Sequence, residues 1–215
     1  MQHPNISKQT MKMTYVLIGL VIIAGAVICL ASCKSKTSTS SAGNSQTQQS
    51  DTIKNTKPDD NPYKDLRQLA FNATAEQTQL VKTTDPNKVY GVIMDWDLGE
   101  GIATLVCFET GETSMYYSSG GGIIGGGGHD NVKKSVAEFI SLAQSYLDKT
   151  IKTDTTLLPE KDCVKFYLLT SKGRFVAQES MTNIENESSK WLPFFEEGNK
   201  VISALRVSTE KKPGR

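Results

Sequence analysis

Histidine is almost missing from this chain of 215 residues: His3 and His129 are the only two. No tract is rich in it and no Cys-x-x-Cys pair is present, so the sequence holds no ligand pattern for zinc. A surplus of either charge is missing as well, with 24 basic against 23 acidic side chains and a formal net charge of +1. Nucleic acid is thereby excluded as a partner, because binding it takes a basic stripe that neutralises phosphates. No internal repeat is visible, and no Ser, Cys or Asp arrangement can be tied to His129 as catalytic machinery. No cofactor motif is present, and none is expected. Charge is also missing from residues 15–31, an unbroken apolar run near the start of the chain.

Lys8 and Lys12 precede that run, and Leu30-Ala31-Ser32-Cys33 ends it. A charged start, an apolar middle and small residues before a cut are the parts of a secretory signal peptide, here residues 1–32. The alternative is an uncleaved signal anchor, although the run is near the short end for a stable span. A start at Met11 or Met13 gives a shorter leader. The ending resembles the lipobox of bacterial lipoproteins. That resemblance implies that Cys33 is acylated, that the chain is cut just before it, and that the membrane then holds the protein in the bacterial cell envelope. One acyl chain anchors only marginally, at about 0.8 kcal/mol per buried methylene, and the resemblance implies several on one cysteine. Lys34-Ser35-Lys36 follows without an acidic run, so periplasm-facing and cell-surface placements both stay open.

Residues 33–62 are Ser, Thr, Gln, Asn and Lys with almost no apolar side chain. Such a segment cannot offset its ordering entropy by burial, and it reads as a flexible tether. The folded domain is expected over 63–207. Leu66, Leu69, Ala70, Ala73, Gln77 and Leu80 keep helical spacing, which predicts a helix over 65–82. Asp85-Pro86-Asn87 breaks it. A strand follows over 89–98, with Tyr90, Val92, Met94, Trp96 and Leu98 on one face. Strands over 102–109 and 113–118 come after short glycine turns, which implies an antiparallel meander. Asp130 or Asn131 is placed to cap a helix whose stripe is Val132, Val136, Phe139, Ala143 and Leu147. A threonine-rich loop over 150–156 leads to a hairpin of 163–170 and 174–180 through Ser171-Lys172-Gly173. Pro193 suits the first turn of a last helix, with Phe194, Val201, Ile202 and Leu205 inward and Glu196 and Glu197 at its start. The expectation is an α+β domain: a mostly antiparallel sheet of about five strands with flanking helices, in the order α-β-β-β-α-β-β-α. A loose basic tail, 208–215, ends the chain.

The strongest local oddity is the segment Gly120, Gly121, Gly122, Ile123, Ile124, Gly125, Gly126, Gly127, Gly128, followed by His129. Ordered glycine is entropically costly, so the run needs a reason. Three readings stay open. It is a crossover with Ile123 and Ile124 pinned to the core, or an exposed tip for a protein partner. The third reading is an anion-binding loop at a helix N-terminus with His129 at its mouth. No Gly-Lys-Ser/Thr closes it, so it is not a P-loop, and it is not a dinucleotide fingerprint. Ile123 and Ile124 separate the readings: exposed for a protein partner, buried for a small ligand.

Asp95 and Asp97 share a strand face, with Glu100 in the next turn. Paired carboxylates bind hard cations or divide acid and base roles, and a hydrolase using them with His129 is a further possibility. The apolar side chains of that strand lie on its other face, so these acids are expected to point to water. Four cysteines are present. Cys29 leaves with the signal and Cys33 takes the lipid. Cys107 and Cys163 fall in predicted strands, as one disulfide or as two core thiols. Cys107 beside His129 would be a thiol pair, but a mid-strand thiol is usually buried and inert. Tyr116, Tyr117, Trp191, Phe194 and Phe195 are expected in the core.

The stretch Tyr116-Tyr117-Ser118-Ser119-Gly120-Gly121-Gly122, feeding an amphipathic helix in a domain without catalytic motifs, is similar to uncharacterised immunity-type proteins that neutralise bacterial toxins. The likeness covers the domain from Tyr63 on. It implies a protein partner entering the periplasm and an anchor that keeps the inhibitor at that entry point.

Overall fold

The computed structural model describes residues 61–78 and 85–210. The expectations for the leader (1–32), for Cys33 and the tether as far as residue 60, for Leu80 and Lys82, and for residues 211–215 lie outside the described residues. Among the described residues no helix is long and apolar enough to cross a membrane.

The meander forms as the turns require: β1 (Val89–Asp97), β2 (Ile102–Phe108) and β3 (Thr113–Tyr117) pair antiparallel in sequence order. The hairpin of β6 (Cys163–Thr170) and β7 (Gly173–Ser180) closes through Thr170 opposite Gly173, and β6 pairs antiparallel with β1. The class is therefore α+β on one antiparallel sheet. Its strand number is seven rather than about five, in the order β4-β3-β2-β1-β6-β7-β5. The two additions are the edges, β4 (Gly122–Ile123) and β5 (Ile151–Thr153). Two or three residues are too few to carry a period-two signal.

Both faces of the sheet are covered. Helices α2 (Asp130–Gln144) and α4 (Leu192–Glu210) lie over one face and build the larger core. The stripe Val132, Val136, Phe139 and Ala143 is buried as expected, joined by Ile140, while Leu147 sits half-buried in a following 3-10 turn. Phe194, Val201, Ile202 and Leu205 of α4 are buried, as are Tyr116, Trp191 and Phe195, while Tyr117 is half-buried. A short helix, α3 (Met181–Glu185), is capped by Ser180, whose hydroxyl accepts from the Thr182 amide. Three details differ from expectation. The cap of α2 is His129, without a side-chain bond, and Asp130 instead stands in the first turn where the helix dipole favours it. Residues 208–210 are not loose: α4 runs through them, and buried Ser208 donates to the Leu205 carbonyl. Leu69, assigned to the buried stripe of the first helix, is exposed.

That first helix, α1, is Tyr63–Asn72 rather than 65–82. Ala73 leaves the helix, and Thr74 and Gln77 exchange two bonds, the side chain of each accepting from the amide of the other. This reciprocal box opens a separate turn. The helix buries Tyr63, Arg67, Ala70 and Phe71 against the second face of the sheet, over Ile93, Val106, Tyr167 and Leu169. Its start is fixed by Asn61, whose Oδ1 accepts from the Tyr63 amide while its Nδ2 donates to the Ser118 carbonyl.

Tyr90 is not on the face predicted for it. The pairing of β1 with β6 shifts register between Val89 and Gly91. That irregularity moves Val89 into the larger core and Tyr90 to the second face, where its hydroxyl donates to the Ala73 carbonyl. From Val92 on the expected alternation holds.

Candidate functional site

The glycine segment owes most of its glycines to close packing and turn geometry. Gly120 closes a turn by donating to the Tyr117 carbonyl, and Gly121 accepts from the Tyr117 amide. Both have positive φ, 102° and 80°. Gly122 and Ile123 then pair with Tyr116 and Met115 as β4. A Cβ on Gly122 would lie 2.3 Å from the Met115 carbonyl oxygen, and one on Gly126 would lie 2.2 Å from Leu205 Cδ2. Gly125 has φ 82° and leads into a 3-10 turn over Gly126–Gly128. Ile123 and Ile124 divide between the readings the sequence left open. Ile123 is half-buried against the larger core, whereas Ile124 is 58% exposed. His129 is exposed at the start of α2.

The acids are corrected by the structure. Asp95 does not point to water: it is 0% exposed, because α1 covers the face that sequence alternation assigned to solvent. Arg67 Nη2 meets Asp95 Oδ2 at 2.6 Å, and Arg67 Nε lies 3.2 Å from both carboxylate oxygens. Thr104 donates to Asp95 Oδ1 at 2.5 Å, and the Tyr63 hydroxyl bonds to Thr104. Asp95 is thus an internal counter-ion, saturated by protein groups. Asp97 is half-buried, accepting from the Gly99 and Asp162 amides, and Glu100 is exposed. No hydrogen bond or ion pair joins these acids to His129. Among the described residues no group of three or more His, Cys, Asp or Glu side chains is placed to hold a metal ion.

Cys107 and Cys163 are free thiols. Cys107 stands opposite Val92, which stands opposite Leu168, so Cys163 is two strands across and five residues along. That is about 19 Å at ordinary sheet spacings, far beyond disulfide reach. Burial pushes the Cys107 thiol far up, so it stays protonated and inert in the core, while His129 is exposed.

Sequence reasoning read residues 154–156 only as part of a threonine-rich loop and passed over Leu157 and Leu158. This segment crosses the second face beside α1, and side chains hold its carbonyls one after another. Arg174 donates to Asp154 O at 3.0 Å and Arg67 to Thr156 O at 2.8 Å. The Tyr167 hydroxyl donates to Leu157 O at 2.5 Å, and Lys165 to Leu158 O at 2.9 Å. Three of the four donors are cationic, which makes these the stronger kind of hydrogen bond. A backbone fixed in this way displays Leu157 at 66% and Leu158 at 45% exposure. The available signal was two leucines before Pro159 in an otherwise polar stretch.

The second face also titrates. Burial, with the Asp95 charge behind it, pushes the Tyr167 hydroxyl up to about 12. Burial foremost raises Tyr63 as well. An unfolded tyrosine titrates near pH 10. A folded value above the unfolded one stabilises the fold fully below pH ~10, and that contribution is lost as pH climbs through about 12. Urea midpoints should therefore fall steeply across that window as tyrosinate absorbance rises, and Tyr167→Phe should flatten the fall.

No protein-family model, curated protein or solved structure matches this chain.

Proposed function

We infer that this protein is a lipid-anchored lipoprotein of the bacterial cell envelope whose folded domain binds another protein, in the manner of an immunity-type inhibitor. The Leu30-Ala31-Ser32-Cys33 ending of the apolar run supports the anchor. The observation that carries the binding reading is Ile124. It is a large apolar side chain 58% exposed, next to Ile123, which is packed into the core, and to the β4 ladder. An apolar side chain on a supported backbone loses little entropy when a partner covers it. Asp95, buried against Arg67, is not free to serve with Asp97 and exposed His129 as the hydrolase reading requires.

The test has two arms in the full chain expressed in a bacterium. Cys33→Ala should abolish incorporation of labelled fatty acid and leave the leader uncut; a cut, membrane-held Cys33→Ala protein would refute the anchor. A photo-activated cross-linker placed at residue 124 should trap a discrete protein adduct, lost when it is moved to residue 123, which packs against the core. Ile124→Ser should change stability by no more than about 0.5 kcal/mol. An anchored, folded protein that traps nothing at 124 would overturn the binding reading at this edge.

A further inference from the structure

The opposite edge of the sheet carries a second apolar surface. β5 ends the strand order, so among the described residues its outer backbone edge pairs with no strand. Ile151 stands opposite Val176, and Val176 opposite Tyr167. Directly opposed residues share a face, so Ile151 lies on the same side as the Tyr167 hydroxyl that holds Leu157 O. Ile151, Leu157 and Leu158 are 72%, 66% and 45% exposed. All three belong to β5 and the fixed segment that follows it in the chain. Open edge strands are normally blunted by charge or covered; β5 carries one exposed lysine, Lys152, on the side opposite to exposed Ile151.

Acidic side chains gather at the Leu158 end of this strip. Asp97, Glu160, Asp162 and Glu179 gather about Cys163 closely enough to raise its pKa further after burial has done so. The Asp97 carboxylate accepts the Asp162 amide at 2.7 Å, and the Glu160 amide donates to Gln178 on β7. Near these four acids stand three lysines, Lys161, Lys165 and Lys190: Lys190 acts on the Glu179 charge, and the Lys165 ammonium is engaged by the Leu158 carbonyl. A chain balanced overall thus places an acidic rim beside its exposed leucines.

We propose that Ile151, Leu157 and Leu158, with the acidic rim at Glu160 and Asp162, form a docking surface for an extended segment of another protein that carries apolar and basic side chains. The segment lies along the open edge of β5, sets an apolar side chain on the leucines, and places lysine or arginine on the rim. Main-chain bonding at an open edge gives such a complex affinity, and side chains give it selectivity. The rim repels an anionic lipid surface, so the occupant is a protein segment. This deepens the protein-binding reading by naming the partner's chemistry, and it is independent of Ile124. Six strand spacings, about 29 Å, separate the two edges.

The test uses the full chain in nanodiscs, with empty nanodiscs as control, and three labelled synthetic peptides: alternating leucine and lysine, alternating leucine and glutamate, and alternating serine and lysine. Fluorescence anisotropy should show the leucine–lysine peptide binding at least about tenfold more tightly than the other two. Leu157→Ser with Leu158→Ser should weaken it about tenfold with an unchanged melting temperature. Glu160→Gln with Asp162→Asn should weaken it several-fold and flatten its salt dependence; asparagine suits the positive φ of 58° at residue 162. Ile124→Ser should leave it unchanged, so failure here is separable from failure at the other edge. Equal binding to wild type and the leucine variant, equal binding of the leucine–glutamate peptide, or no binding above empty nanodiscs would each overturn the proposal.

Discussion

Arg67→Met is expected to destabilise the domain by about 3–5 kcal/mol, because it strands a buried carboxylate without its counter-ion. Asp95 is 0% exposed and Arg67 8%, so water cannot take the place of the missing partner. Burial alone would lower the guanidinium pKa, but the bond to Asp95 and its charge outweigh that and hold it above the usual arginine value. Asp95→Asn should cost a similar amount by leaving the cation unpaired. The informative variant is the double one, Arg67→Met with Asp95→Leu. Replacing both members of a buried pair by apolar side chains is often neutral or stabilising, and the Thr104 hydroxyl keeps its bond to Tyr63. Urea unfolding of the wild type, Arg67→Met, Asp95→Leu and the double variant therefore gives a cycle: two costly single changes and a double change that recovers most of the loss. If the double variant is as unstable as the singles, the pair itself is not the cause. Arg67 also donates to the Thr156 carbonyl. Either variant lacking the guanidinium should then speed amide exchange around residues 154–158, even where global stability is restored. Arg67→Lys should recover little, since an ammonium cannot reach both carboxylate oxygens and Thr156 together.

That pair also marks where the sequence stopped being legible. Alternation along β1 correctly separates two faces at Val92, Met94 and Trp96, and it puts Asp95 with Asp97 on the other. Whether the other face meets water or a helix depends on a non-local event, the docking of α1, and Asp95 cannot report it. Arg67 was the overlooked signal: an arginine in a helix otherwise read by its leucines. Tyr90 fails for a different reason, because one irregular pair between Val89 and Gly91 reverses the parity of everything before it. The longer elements, β1, β2, β6, β7, α2 and α4, were readable because each repeats its period several times. At the glycine segment the sequence showed that something unusual was needed but not what. The clashes that a Cβ would meet at Met115 and Leu205 come from β3 and α4, both distant in sequence. The strip at Ile151, Leu157 and Leu158 was hidden because isolated leucines in loops are common, and only four convergent donors make this loop a fixed display.

Phe194→Ala should cost about 3–5 kcal/mol, the range for removing a buried aromatic ring. Phe194 is 0% exposed at the centre of the larger core. Its ring centroid lies 4.7 Å from that of Phe139, 5.0 Å from Tyr146, 5.0 Å from Phe166 and 5.8 Å from Trp191. These rings come from α2, its following turn, β6, the residue before α4, and α4 itself, so the ring joins the helix layer to the sheet. Two features keep the site from collapsing. Tyr146 is tied by its hydroxyl to the Lys190 carbonyl, and Phe166 is held in register between β1 and β7. A cavity that cannot close places the cost toward the upper end of the range. Phe195→Ala, whose ring meets Trp96 edge-on at 5.1 Å near the end of β1, should cost less. The urea midpoint should fall with an unchanged slope, as for a stability change without loss of compactness. Leu205, far along α4, packs against Gly126. If α4 stays docked there, amides of β4 should lose protection only by the global amount, and a cross-linker at Ile124 should still capture its partner. Loss of capture in the Phe194 variant at temperatures where it remains folded would mean that the packing of α4 sets the shape of the glycine edge, and that the two ends of the helix act as one unit.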